Sequence, residues 1–251
     1  MYEHLRRVAK GIPGLPALVR LLRPHGSTPR VETRSPEEIF TGIFETNYWG
    51  SEVSRSGQGS DDVQTREVVR VLPQVLRSLG ARSMLDLPCG DFHWMQRVDL
   101  GDVAYIGGDI VPQLIDRNQR QFGAANRRFA KLDLIADPLP SVDVVFVRDC
   151  LVHLSFDLAL KALRNIRASG STWLITTTFT GRDANLDIPT GDWYPINLER
   201  HPFSLPKPEH LIVEGCSEAG GVFADKSLGV WRIDSIEPCL RGSRGRLPTA
   251  R

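Results

Sequence analysis

Residues 83–91 read SMLDLPCGD, an apolar run that ends in an aspartate and a turn of proline, cysteine and glycine. The run is too short for a globular helix and predicts a buried strand followed by a tight turn. Helical patterns near 112–122 and 156–168 alternate with further runs of this kind. These runs are VAYIGG (103–108), RRFAKL (127–132), VDVVFV (142–147) and STWLITTTF (171–179). The alternation predicts an α/β fold with a parallel sheet and right-handed crossovers.

The flanks of this core carry further elements. Helices are predicted at Pro36–Thr46 and at about 62–79, with a loop rich in glycine and serine between them. Two last strands are predicted within 210–218 and 227–234. We therefore expect an N-terminal extension at 1–35, one folded domain at 36–238 and a disordered tail at 239–251.

Residues 181–209 carry no clear period and contain many glycine, proline, aspartate and asparagine residues. A long irregular stretch inside a compact domain is usually functional. We expect this segment to form a lid over a ligand site.

Composition limits the classes of partner. Lys and Arg total 31 against 30 for Asp and Glu, a formal net charge of +1, which argues against a large nucleic-acid footprint. The four cysteines, Cys89, Cys150, Cys216 and Cys239, form no CxxC pair, so neither a metal site nor a disulfide framework is expected. A reducing cytoplasm is the simplest compartment.

No apolar run approaches the roughly 18 residues that a membrane span needs. The N-terminal segment is basic and interrupted by proline and glycine, which argues against a cleaved signal peptide. Two interpretations stay open for it, a helical extension or a peripheral contact with anionic membrane. The second would use Arg6, Arg7, Lys10, Arg20 and Arg23.

The turn after the first strand indicates what kind of ligand it can hold. It lacks the GxGxxG pattern, and Pro88 removes one amide donor, so it suits a pyrophosphate poorly and disfavours a nicotinamide dinucleotide. Asp86 can hold an ammonium, while backbone amides beside Gly90 can hold a carboxylate. The turn therefore favours a cofactor with a zwitterionic amino-acid end.

Two more aspartates follow the next two strands. Asp109 ends the second strand, where an acidic side chain can accept from ribose hydroxyls. Asp133 follows the third strand and can accept from an adenine amine. Either residue alone could be a helix cap, but three aspartates at successive strand ends would face the same crevice.

The segments LDLPCGD, YIGGDI, FAKLDL and VDVVFVRDCLVHL, in this order, resemble the motifs of class I S-adenosylmethionine (SAM)-dependent methyltransferases. With NYWGSEVSRSGQGS (47–60), they look like a little-described bacterial subgroup. The resemblance implies a Rossmann-like, seven-stranded, mostly parallel sheet with helices on both faces and an antiparallel last strand. It also implies SAM as cofactor. Asp86 and Gly90 would lie by the methionine, Asp109 by the ribose, and Asp133 and Leu134 by the adenine. Further cofactor contacts would be Pro88, Cys89, Ile110 and Arg148.

The end of the fourth strand would lie beside the transferable methyl group. His153 has the intrinsic pKa of a general base, and Asp149 could serve as base or orient it. The alternatives are that His153 only packs near the cofactor and that Asp149 caps a helix or pairs with Arg148.

Two segments are candidates for binding the acceptor. Trp49 and Arg55 lie in the loop at 47–60, which would have to cover the cofactor. Asp187, Asp192, Trp193 and Tyr194 interleave aromatic faces with carboxylates, a pattern that suits a polyhydroxylated ligand. The alternatives are a plain surface loop with Trp49 anchored in the core, and a structured segment with Trp193 and Tyr194 packed inward.

These observations favour methylation of a small acceptor, sugar-like or from secondary metabolism, at oxygen and without a metal. Methylation of nitrogen or of a macromolecule, a non-catalytic SAM-binding protein and a nicotinamide oxidoreductase stay as alternatives. The NPPY motif of amino-nitrogen methylation in nucleic acids is missing, since Arg148, Asp149 and Cys150 follow the fourth strand.

Overall fold

The computed structural model describes residues 34–236, so the predicted basic N-terminal segment and the C-terminal tail, with Cys239, lie almost wholly outside the described residues. Seven strands form one sheet in the order β3-β2-β1-β4-β5-β7-β6. They are β1 (Ser83–Asp86), β2 (Ala104–Asp109), β3 (Arg127–Lys131), β4 (Val144–Val147), β5 (Trp173–Phe179), β6 (His210–Val213) and β7 (Lys226–Arg232). Of these seven strands, β7 alone is reversed in direction, so it pairs antiparallel with both β5 and β6. The predicted sheet is confirmed.

The central strands are buried on both faces, as a parallel sheet covered by helices requires. All four residues of β4 are buried, and three of them are β-branched valines that fit a pleated surface. Neighbouring residues point to opposite faces: Val145 joins one hydrophobic cluster, and Val144 and Phe146 join the other. The sheet therefore separates two cores.

Helices cover both faces, as predicted. Four α-helices are present among the described residues: α1 (Pro36–Thr46), α2 (Asp62–Ser78), α3 (Pro112–Phe122) and α4 (Phe156–Ala168). Val68, Leu72 and Leu76 form the buried stripe of α2 on one face of the sheet, and α4 packs on the other. Gly80, at a φ of 64°, follows the end of α2 in the left-handed conformation that glycine favours. Within residues 34–236, no helix is long and apolar enough to cross a membrane.

The segment 181–209 is irregular, but it packs as part of the core. Its buried side chains Ile196, Leu198 and Phe203 belong to the cluster that contains α4. Asp187 Oδ1 accepts from the first backbone N–H of α4, at 2.7 Å from Phe156 N. These contacts make the segment a packed layer, so the expected lid is corrected: the composition showed an irregular path but not that the apolar side chains face inward.

Candidate active site

A cleft opens at the carboxyl ends of β1 to β4, where the chain order of the sheet reverses. The turns after these four strands form its floor, while α1 and the loop 47–60 form its roof. From these turns the cleft is lined by Asp86, Pro88, Cys89, Gly90, Asp109, Ile110, Asp133, Leu134, Arg148, Asp149 and His153. The structure therefore brings together the predicted residues of all four strand ends.

Asp86 ends β1, and its side chain is buried. The hydroxyl of Tyr105, on the neighbouring strand β2, donates to Asp86 Oδ2 at 2.6 Å. Burial raises the pKa of Asp86 to about 7, although the hydrogen bond from Tyr105 opposes this rise. A cationic ligand beside Asp86 would favour its charged form.

Asp109 ends β2 and organises the turn after β1. Its Oδ2 accepts from Gly90 N at 3.1 Å and its Oδ1 from Val111 N at 3.0 Å. Burial raises the pKa of Asp109 to about 6 against the effect of these amide donors. Gly90 has a φ of 55°, and its carbonyl accepts from Asn118 Nδ2 at 2.7 Å.

The loop 47–60 is clamped onto the turn after β1. Asp91 accepts from Ser54 Oγ at 3.0 Å and from Arg55 N at 2.8 Å. A Cβ at residue 90 would collide with Ser56 Oγ, so glycine is required there for the loop to close. Asp91 stands in the first motif of the sequence, but no role for it was predicted.

Asp133 and Leu134 lie at the β3 end of the cleft, with Leu132 and Ile135 beside them. Asp133 Oδ1 accepts from Ile135 N at 2.7 Å. The carboxylate thus stands in a mainly apolar pocket.

Arg148 and Asp149, after β4, belong to a buried ion-pair network. Arg148 Nη2 donates to Glu214 Oε2 at 2.6 Å and to the carbonyl of Gly59 at 2.8 Å. Lys226 Nζ donates to Asp149 Oδ2 at 2.6 Å, and Arg148 Nη1 lies 3.2 Å from the same oxygen. Burial alone would raise the pKa of Asp149, but the two cations outweigh it and lower the pKa to about 2. The pairing of Asp149 with Arg148, one alternative from the sequence, is therefore present.

His153 lies in a short 3-10 turn (Leu151–His153), and its ring faces Trp49. The two ring centroids are 4.7 Å apart. His153 Nδ1 lies 2.9 Å from the carbonyl oxygen of Asp192, which can only accept, so Nδ1 carries the proton. Nε2 has no hydrogen-bond partner in the described part of the chain. Burial lowers the pKa of His153 below its ordinary value, which keeps Nε2 as a neutral acceptor.

Only some of the predicted acceptor residues reach the cleft. Trp49 and Arg55 line it, whereas Asp187, Asp192, Trp193 and Tyr194 do not. Asp187 caps α4, and the ring of Trp193 packs 4.9 Å from that of Phe223. The assignment of these four residues to the acceptor is corrected, because none of them lines the cleft and the ring of Trp193 packs against Phe179 and Phe223 in the core.

Several residues that line the cleft were not predicted from the sequence. Phe40, Ile43 and Phe44 of α1 line the cleft, as does Trp94. The apolar spacing of α1 was visible in the sequence, but nothing local shows which surface an amphipathic helix covers.

Among residues 34–236, no group of three or more His, Cys, Asp or Glu side chains is placed to hold a metal ion. Catalysis without a metal stays a prediction.

No protein-family model and no curated protein matches the chain in sequence. Solved structures do match the fold. N-methyltransferase NodS from Bradyrhizobium japonicum WM9, in complex with S-adenosylhomocysteine (SAH), has 14% identity and a TM-score of 0.56 over 76% of this chain and 97% of that one. Burkholderia thailandensis 1,6-didemethyltoxoflavin-N1-methyltransferase has 15% identity and a TM-score of 0.56 over 82% and 92%.

Human N-acetylserotonin methyltransferase, in complex with SAM, has 15% identity and a TM-score of 0.55. The match covers 79% of this chain and 60% of the human one. With its sheet order and the cleft at the carboxyl ends of β1 to β4, this chain has the fold of the class I SAM-dependent methyltransferases.

Proposed function

We propose that the protein transfers the methyl group of SAM to a hydroxyl of a small-molecule acceptor, with His153 as general base. The observation that carries this proposal is the unpartnered Nε2 of a neutral His153, in the same cleft as Asp86 and Asp109. The domain at 36–238 would be the catalytic unit, and the cytoplasm stays the compartment that the sequence predicts.

The side chains of the cleft fit SAM by their chemistry. Asp86 would accept from the ammonium group, and the turn at Pro88, Cys89 and Gly90 would surround the methionine. A carboxylate has about four lone-pair sites. Asp109 uses part of this capacity on the backbone amides of Gly90 and Val111, and the remaining capacity would accept from the ribose.

The β3 end of the cleft suits a flat heterocycle. Ile110 and Leu134 offer apolar contact, and Asp133 offers an acceptor for an exocyclic amine. Arg148 also lines the cleft, but Glu214 and Gly59 already engage its guanidinium. We propose that Arg148 holds the covering loop and does not itself bind the cofactor.

SAM supplies a methyl group on a positively charged sulfur, whose bond breaks as the acceptor oxygen forms its bond to carbon. His153 Nε2 takes the proton of the hydroxyl, because an alcohol with its proton attached is a poor nucleophile. The carbonyl of Asp192 holds the ring in the tautomer with a free Nε2. The imidazolium that results returns its proton to solvent after product release.

Asp149 was the second candidate for the base. Its carboxylate pairs with Lys226 and Arg148, and its pKa of about 2 makes it a weak base. We propose that Asp149 positions the turn that leads to His153. Its backbone N–H donates to Thr177 Oγ1 at 2.8 Å, which ties that turn to β5.

The test is methyl transfer from labelled SAM to a library of small hydroxyl compounds by wild type and by His153→Ala. We expect kcat to fall by roughly 10²–10⁴-fold in the variant while the Kd for SAM stays within about twofold. His210→Ala, at an exposed histidine of the edge strand β6, is the matched control and should keep full activity.

Full kcat in His153→Ala, together with a lower melting temperature, would mean that the ring only packs against Trp49. Transfer to amines alone, independent of His153, would favour N-methylation. Binding of SAM without transfer to any acceptor class would favour a non-catalytic protein.

A further inference from the structure

We propose that the acceptor is an aromatic hydroxyl compound, whose flat ring lies against Trp49 and whose hydroxyl meets His153 Nε2. This inference rests on the proposed function and names its substrate class. It replaces the sugar-like acceptor that the sequence favours, because the residues that suggested a sugar lie outside the cleft.

The walls around His153 are apolar and aromatic. The indole of Trp49 lies beside the imidazole at 4.7 Å, and Gly57 packs under Trp49, with an ideal Cβ position 3.3 Å from Trp49 Cβ. Gly191 N donates to the carbonyl of His153 at 2.8 Å. A Cβ on Gly191 would lie 3.5 Å from Ile43 Cδ1, so the apolar face of α1 lies next to this turn.

The charged groups near His153 are occupied. Lys226 and Arg148 hold Asp149, and Arg148 in turn is held by Glu214. Besides His153 Nε2, the polar side chains of the cleft that lie outside this network and are not assigned to SAM include Arg55, Ser56 and Ser60. A sugar presents several hydroxyls, and each one buried without a partner costs about 1–3 kcal/mol. An aromatic hydroxyl compound needs only one hydrogen-bond acceptor, and its ring can pack against the apolar walls of the cleft.

The acidity of the acceptor hydroxyl also favours an aromatic acceptor. A phenol has a pKa near that of tyrosine, about 10, whereas an aliphatic hydroxyl is closer to water, at about 15.7. Burial lowers the pKa of His153, which makes it a weaker base than ordinary imidazole. His153 can therefore remove the proton of a phenol more readily than the proton of a sugar hydroxyl.

The test uses two probes that differ only in the aromaticity of the ring, 4-methylphenol and 4-methylcyclohexanol, with methyl glucoside as a third. Their binding to the full-length protein saturated with SAH is measured by saturation-transfer NMR. We expect 4-methylphenol to bind about tenfold more tightly than the other two. Trp49→Ala should weaken the binding of 4-methylphenol by about tenfold, a larger loss than the one it causes in the affinity for SAH.

Trp173→Ala is the matched control. Trp173 is also partly buried, but it starts β5, at the opposite end of the strands from the cleft. This variant should bind 4-methylphenol as wild type does. Should Trp49→Ala fail to fold, Trp49→Leu provides the same test, because it keeps apolar volume and loses the aromatic face.

Two results would overturn the proposal. One is methyl glucoside or 4-methylcyclohexanol binding as tightly as 4-methylphenol. The other is an affinity for 4-methylphenol that does not depend on Trp49. If SAH still binds, either result would contradict only the proposal of an aromatic acceptor. A protein that does not bind SAH would contradict the proposed function itself.

Discussion

His153 Nδ1 lies 2.9 Å from the carbonyl oxygen of Asp192, and this contact fixes which nitrogen of the ring can take a proton. Asp192 belongs to the segment 181–209, which packs against the core and does not close over the cleft. The contribution of that segment to the site is thus a backbone carbonyl that orients the ring. The side chains of this segment that were predicted to bind the acceptor, Asp187, Asp192, Trp193 and Tyr194, do not line the cleft.

The rate should depend on pH through His153. Burial lowers the pKa of the ring, and the base works only in its neutral form, so kcat should be constant at neutral pH and fall on the acid side. The midpoint should lie below about 6.5, the ordinary value for histidine. The measurement is kcat at saturating acceptor from pH 4.5 to 8. A midpoint above 7, or the same profile in His153→Ala, would contradict the assignment.

SAM affinity should weaken as the pH falls through about 7. The pKa of Asp86 is raised to about 7 in the free protein, and an ammonium beside it would favour the carboxylate, so binding near pH 6.5 should release protons. Calorimetry in two buffers of different ionisation enthalpy measures this release. Asp86→Asn keeps a group that accepts from Tyr105 but cannot titrate. The affinity of this variant for SAM should therefore be weaker and depend less on pH. Equal proton release in Asp86→Asn would assign the effect to another group.

The buried ion-pair network should govern acid stability. The pKa of Asp149 is lowered to about 2, so its stabilising contribution is present above its ordinary value of 3.8 and is lost as the pH falls toward 2. Lys226→Met removes the ammonium and leaves two buried carboxylates with one cation fewer, at a cost of roughly 3–5 kcal/mol.

Acid unfolding of Lys226→Met, followed by circular dichroism, should begin at higher pH than in wild type. The control is Lys161→Met, which removes an exposed pair with Asp157 within α4 and should cost at most about 0.5 kcal/mol. Equal stability losses in the two variants would mean that the buried network contributes no more than a surface pair.

Hydrogen exchange should distinguish the two segments that were candidates for covering the cleft. SAH should slow exchange in residues 51–60, because this loop lies on the turn that we propose to hold the cofactor. Exchange in 181–209 should change little. Asp91→Ala removes the acceptor for Ser54 and Arg55 and should speed exchange in the loop before any ligand is added. Protection confined to 181–209 would restore the lid that the sequence suggested.

The strand ends were predictable because they depend on local signals. Asp86, Asp109 and Asp133 each follow a short apolar run, and the parallel topology brings all three to one edge. The ion-pair network around Asp149 was not predictable from local signals. Lys226 starts β7 and Glu214 follows β6, and only the pairing of β5, β6 and β7 brings Lys226 to Asp149 and Glu214 to Arg148. Trp193 and Tyr194 were misassigned because composition does not show which way an irregular segment turns its side chains.

The most direct test of the central claim is calorimetric titration of the purified protein with SAM, SAH and NAD. We expect micromolar Kd values for SAM and SAH and no heat with NAD, since the turn at 86–91 suits an amino-acid end and not a pyrophosphate. Asp109→Ala should weaken SAM binding by roughly 1–3 kcal/mol, because the ribose hydroxyls lose their acceptor. No heat with SAM or SAH, together with clear binding of NAD, would contradict the account.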